Sequence, residues 1–180
     1  MKTLMSVAVV SVLVVSSLAF AGEMTPEETM MKMMNCVACK PYGEYPQVMQ
    51  NIRYDIFDTS NGFVVAFLMA NEEHVGDFRA CEEKCEAARA EAAKLSAEEK
   101  EAQLCPFCVG MFKLKGRDDI TFEKFDAQLG QIMVASSNTD EGVKALHAYS
   151  DNSRKTNKML EEAAKKMKAE KKAAETKTGE

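Results

Sequence analysis

The chain has 180 residues, a formal net charge of −5, six cysteines and thirteen methionines, and no tryptophan. That length suits one ordinary domain whose core can form without covalent staples. The acidic balance argues against nucleic acid or an anionic membrane surface as partner, and the lack of tryptophan argues against an aromatic sugar-stacking site.

Lys2 precedes an uncharged run from Val7 to Ala21, which closes on Ala19-Phe20-Ala21. A cationic start, a short apolar stretch and an A-x-A site are the parts of a secretory leader. The run falls short of the roughly 20 apolar residues of a spanning helix. Residues 1–21 are therefore expected to be removed as a signal peptide, and the mature chain to be exported, periplasmic or extracellular, with no membrane segment after cleavage.

The mature chain reads as one α+β domain over residues 22–168, with a frayed or disordered tail at 169–180. Thr25-Pro26-Glu27-Glu28 is a helix start with a capping box, and Pro41 ends that helix near Cys39. After a turn-rich stretch from Lys40 to Gln47, Ile52, Tyr54 and Ile56 alternate with polar residues, a half-buried strand pattern. Asn61-Gly62 marks a hairpin turn, and Phe63 to Met69 forms the returning strand. Phe63, Phe67 and Met69 lie on one of its faces. Asn71 can cap a helix from Glu72 to about Gln103, with a narrow stripe of Phe78, Cys81, Cys85, Ala88, Ala92 and Leu95.

The second half repeats the first. One constant shift along the chain matches Ile52 with Ile120, Phe57 with Phe125, Asp58 with Asp126 and Gly62 with Gly130. The CxxC at Cys36 and Cys39 recurs, within one position of the same shift, at Cys105 and Cys108. Strands are expected at Ile120–Phe125 and Gln131–Val134, then a helix from about Asp140 capped by Thr139. Two related helix–hairpin–helix units, about 25–95 and 96–168, would join as a four-stranded antiparallel sheet with helices on one face. The other face is then a natural surface for a homo-oligomer or a protein partner.

The chemistry lies in the cysteines. Cys81 and Cys85 share a helix face, and their counterparts in the second unit are Tyr149 and Ser153. The first unit thus holds a four-cysteine set, Cys36, Cys39, Cys81 and Cys85. In an oxidising compartment an even cysteine count suggests disulfides, here Cys36–Cys85 and Cys39–Cys81 stapling the helices, with Cys105 and Cys108 as a further pair. The main expectation is a stapled binding or interaction protein without a cofactor. The first alternative is a soft-metal site for zinc or Cu(I) on Cys36, Cys39, Cys81 and Cys85, with Met33 as an added thioether. The second is a thiol–disulfide redox pair. Cys105 would cap a helix beginning at Pro106 and act as nucleophile, with Cys108 resolving. That C-P-x-C spacing also occurs in thioredoxin-like redox sites, but no later proline exists to supply their cis-proline, and a charged helix precedes it. His74 and His147 are expected at the surface, and Glu82-Glu83 and Asp118-Asp119 read as solvated positions or turn residues. The sequence carries no phosphate loop, H-E-x-x-H, G-x-S-x-G or CxxCH.

Overall fold

The two hairpins form one antiparallel sheet in the order β1-β2-β4-β3. In the computed structural model, which describes residues 24–177, the strands are β1 (Ile52–Thr59), β2 (Gly62–Met69), β3 (Ile120–Ala127) and β4 (Gly130–Ser137). The helices are α1 (Pro26–Asn35), α2 (Pro46–Asn51), α3 (Val75–Ala93), α4 (Ala97–Gln103), α5 (Pro106–Lys115) and α6 (Asp140–Lys177). The expected leader lies outside the described residues. Among the described residues no helix is long and apolar enough to cross a membrane.

The central pairing, β2 with β4, has a two-fold register. Val65 faces Met133, its own counterpart in the repeat, while Val64 faces Val134 and Ala66 faces Ile132. Gly62 and Gly130 explain their recurrence through this pairing. A Cβ on Gly62 would stand 1.9 Å from the Ala135 carbonyl oxygen, and one on Gly130 would stand 2.0 Å from that of Phe67. Ala135 and Phe67 are themselves counterparts, so each hairpin glycine makes room for the central strand of the other unit.

Strand alternation assigns the faces. Ile56, Phe63, Val65, Ile120 and Ala135 point one way and join Leu114, Leu146 and Tyr149 in the main core. Full burial of one such apolar side chain stabilises by about 1.5–3 kcal/mol. Phe63 and Tyr149 stack with ring centroids 5.7 Å apart. Phe63, Phe67 and Met69 therefore look into the helical layer, and Met69 is buried with Phe78 in a satellite cluster. The open face carries the opposite set, including Phe57 and Phe125.

Each unit's second long helix is fastened to the other unit's hairpin. From α3, Arg79 pairs with Asp126 and donates to the Ala127 carbonyl at 3.4 Å, and Glu86 pairs with Lys124. From α6, Arg154 and Ser150 donate to Asp58, and His147 Nε2 meets the Thr59 carbonyl at 3.0 Å. Arg79 and His147 are counterparts, as are Ala127 and Thr59. The two histidine-or-arginine positions thus make the same contact, and His147 is half-buried rather than a surface residue.

Helix ends follow local chemistry. Thr25 and Glu28 form the expected capping box of α1. The single helix expected from Glu72 to Gln103 is instead a 3₁₀ turn (Glu72–His74), α3 and α4. Ser96 and Glu99 form a second capping box that restarts the helix, and Lys100 Nζ donates to the Ala93 and Leu95 carbonyls left open at the break. The stretch Lys40–Gln47, expected as turns, holds a 3₁₀ helix (Lys40–Glu44) and the start of α2, each opened by a proline in its first turn. Helix α6 continues to Lys177, past residue 169 where fraying is expected. Its start is anchored by Thr139, which accepts from the Gly142 N–H at 3.0 Å and donates to Asp119. Arg117 grips the same carboxylate through two bonds of 2.8 and 2.9 Å.

This packing makes two outcomes measurable. Gly62→Ala and Gly130→Ala should each destabilise the fold by about 1–3 kcal/mol, as overpacking against rigid backbone does, read from the shift of the urea unfolding midpoint. The Arg117 and Thr139 bonds hold the Asp119 carboxyl down at about 2. Its contribution is complete above the unfolded value of about 3.9 and is lost as pH falls through about 2. Asp119→Asn should therefore lower stability at neutral pH, and the gap to the parent should narrow once the pH falls below about 4.

Candidate metal centre

The two CxxC motifs, one from each unit, meet. The sulfurs of Cys36, Cys39, Cys105 and Cys108 all lie within 4.8 Å of one another. Cys39 Sγ stands 3.3 Å from Cys108 Sγ and 3.8 Å from Cys105 Sγ. A tetrahedral ion with metal–sulfur bonds of about 2.3 Å needs sulfurs about 3.8 Å apart. All six cysteines of the chain are free thiols in the structure. The expected staples Cys36–Cys85 and Cys39–Cys81 are not formed, and the four-cysteine set is drawn from both units rather than from the first alone.

Local structure builds each half of the centre. Helix α1 stops at Asn35, not near Cys39, because Cys36 leaves helical geometry and caps it. The Cys36 carbonyl then accepts from the N–H groups of Cys39 at 3.0 Å and Lys40 at 2.8 Å. This tight turn brings both sulfurs of the first motif to one side. In the second motif Cys105 caps α5, Pro106 opens it, and Cys108 falls in its first turn. One backbone bond, from the Val37 N–H to the Gln103 carbonyl at 3.2 Å, joins the two segments directly.

The surroundings are apolar. Cys36 and Cys105 are buried with Ala38, Ala92, Leu104 and Val109, and Met33, Leu95, Phe107 and Phe112 pack around them. Cys36 is 1% exposed and Cys105 fully buried, while Cys39 and Cys108 reach the surface in part. Hydrogen bonds from the neighbouring thiols, first from Cys105, hold Cys36 below the usual thiol range, and Cys105 is lowered chiefly by Cys108. Cys39 and Cys108 are raised, each first by its bond with Cys105. The four thiols thus compete for protons within one small apolar pocket. Concentrated sulfur charge in an apolar setting is the arrangement a cation relieves.

Cys81 and Cys85 lie elsewhere. Both are fully buried on α3 with Val48, Met69 and Phe78, in a cluster separate from the four-sulfur group. Burial pushes both thiols up, Cys85 to about 12, so they stay protonated at neutral pH. Beside them Tyr42 donates to Glu82, and Arg89 donates to the same carboxylate at 2.9 Å. Glu82 is consequently buried, against the expectation of a solvated position, whereas Glu83 is exposed. Tyr149 and Ser153, the counterparts of Cys81 and Cys85, are buried too, and the Tyr149 hydroxyl donates to the Phe107 carbonyl at 3.4 Å. These four positions serve core packing in both units. Met33 packs beside the centre, half-buried. His74 is far from it in sequence and pairs with Asp77.

The same geometry bears on redox chemistry. Cys105, the expected nucleophile, has no exposed surface on which a substrate disulfide could be attacked. Comparison with known protein families, curated proteins and solved structures finds nothing that matches this chain.

Exposure orders the thiols. In reduced, metal-free protein Cys39 and Cys108 should alkylate first, and the buried Cys36, Cys81, Cys85 and Cys105 later. Timed labelling followed by peptide mass analysis reads the order, and equal rates at all six positions would contradict it.

Proposed function

We propose that this protein binds one soft metal ion through Cys36, Cys39, Cys105 and Cys108, and that the ion clasps its two units together. The observation that supports it is the gathering of four sulfurs from two remote CxxC motifs to within 4.8 Å. Of zinc and Cu(I), the two ions suited to thiolates, the four-sulfur set favours zinc, which takes tetrahedral thiolate coordination. Cu(I) also suits soft sulfur ligands, and Met33 is the nearby thioether.

The role is one of binding rather than catalysis. The half-sites are equivalent, the inner sulfurs are sealed by apolar side chains, and all four ligand positions are thiols, with no place kept for a substrate. Such closed sites stabilise folds. The reading of Lys2, the apolar run and Ala19-Phe20-Ala21 as a leader supports work outside the cytoplasm. There a bound ion also shields neighbouring thiols from oxidation, since disulfide formation requires a free thiolate as attacking group.

The test is metal content of the mature chain from Gly22, prepared without oxidation. One zinc per chain is expected, released by a thiol-modifying reagent. Cys36→Ser or Cys105→Ser should abolish stoichiometric binding and lower the melting temperature. The double variant Cys81→Ser/Cys85→Ser should keep its full zinc content. Metal-free protein in which Cys36, Cys39, Cys105 and Cys108 are mapped as native disulfides would overturn the reading, as would equal metal loss in the Cys81/Cys85 variant.

A further inference from the structure

We propose that the open face of the sheet is the interface of a homodimer, in which two copies stack sheet against sheet. The helices cover one face only, and the opposite face carries two rows of side chains across all four strands. One row is Phe57, Val64, Val134 and Glu123, and the other is Asp55, Ala66, Ile132 and Phe125. Phe57 is 58% exposed and Phe125 50%. Exposed aromatic rings beside a run of aliphatic residues on one flat surface mark an interaction site. Charge is confined to the two outer strands, at Arg53, Asp55 and Glu123, so the face has an apolar centre and a polar rim, as protein interfaces do.

Size and symmetry select a second copy as the occupant. Four strands of eight residues span about 19 Å by about 27 Å, roughly 500 Å² of flat sheet. Side chains standing on it raise the accessible area toward the roughly 800 Å² per partner of a standard interface. The face also repeats itself. The internal repeat turns Phe57 into Phe125, Val64 into Ile132, Ala66 into Val134 and Asp55 into Glu123, which are the same two rows read from opposite ends. A partner lacking a two-fold axis would fit one half of this surface and mismatch the other. An identical face carries the matching axis, and in an isologous contact both copies bury the same residues. Aligned sheet-on-sheet packing at about 10 Å is the ordinary way to cover two such faces.

Sedimentation of the mature chain tests this. Wild-type protein should form a reversible dimer at micromolar concentration. The double variant Phe57→Lys/Phe125→Lys alters only half-exposed positions and should keep the far-UV circular dichroism and metal content of the parent. Its dimer dissociation constant should rise at least tenfold. Val64→Thr/Val134→Thr, milder substitutions at the centre, should weaken the dimer in the same direction. A wild-type chain that stays monomeric would overturn the proposal, even if the face then bound neutral phosphatidylcholine vesicles. So would a dimer that survives all four substitutions, which would join through the edges of β1 and β3. The measurement is independent of the metal centre, because a cysteine variant without metal should still dimerise through this face if it folds.

Discussion

The pairing of β2 with β4 is the constraint on which the rest of the structure rests. Because Val65 meets Met133, its own counterpart, the two hairpins are related by a two-fold axis through the middle of the sheet. Once that register is set, whatever one unit does to the other is done in return. Gly62 admits Ala135 as Gly130 admits Phe67. Arg79 reaches the hairpin of the second unit as His147 reaches that of the first. A one-residue slip would turn the apolar residues of β2 and β4 from core to open face, and would also break these reciprocal contacts.

The meeting of the two CxxC motifs belongs to the same reciprocity. Counterparts brought together by a two-fold relation meet near its axis, and here the counterparts are thiols. The contact is poor on its own, because sulfurs crowded in an apolar pocket must share protons or repel. A metal ion makes the same crowding favourable. On this reading the ion acts where the register cannot, on segments outside the sheet, joined directly by one backbone bond between Val37 and Gln103. The sheet aligns the units from below, and the four thiols stand where an ion would tie together the segments that cover it.

Much of the fold was legible along the chain because its signals are local. Alternation over Ile52 to Ile56, the turn glycines, the Thr25 capping box and the proline after Cys105 each act within a few residues, and the elements they mark are present. The constant shift that carries Ile52 onto Ile120 and Gly62 onto Gly130 predicted the paired units. The misjudged stretches also have local causes. Ser96 and Glu99 formed a capping box inside an alanine-rich run that looked continuous, and Pro41 and Pro46 started short helices where only turns were expected. A capping-box search through the run would have found the first. Glu82 was misread because its burial depends on Tyr42, far earlier in the chain.

The sequence by itself determined the α+β class, the repeat and half of the thiol cluster, Cys36 and Cys39, since residue type and short spacing suffice for each. It placed Cys81 and Cys85 on one helix face but could not say what that face meets. Only the tertiary structure decided that Cys36 and Cys39 join Cys105 and Cys108, while Cys81 and Cys85 pack with Phe78 and Met69. The reason is physical. Which remote thiols converge depends on how the two units are turned against each other, and that is set by strand register and helix packing summed over the whole chain.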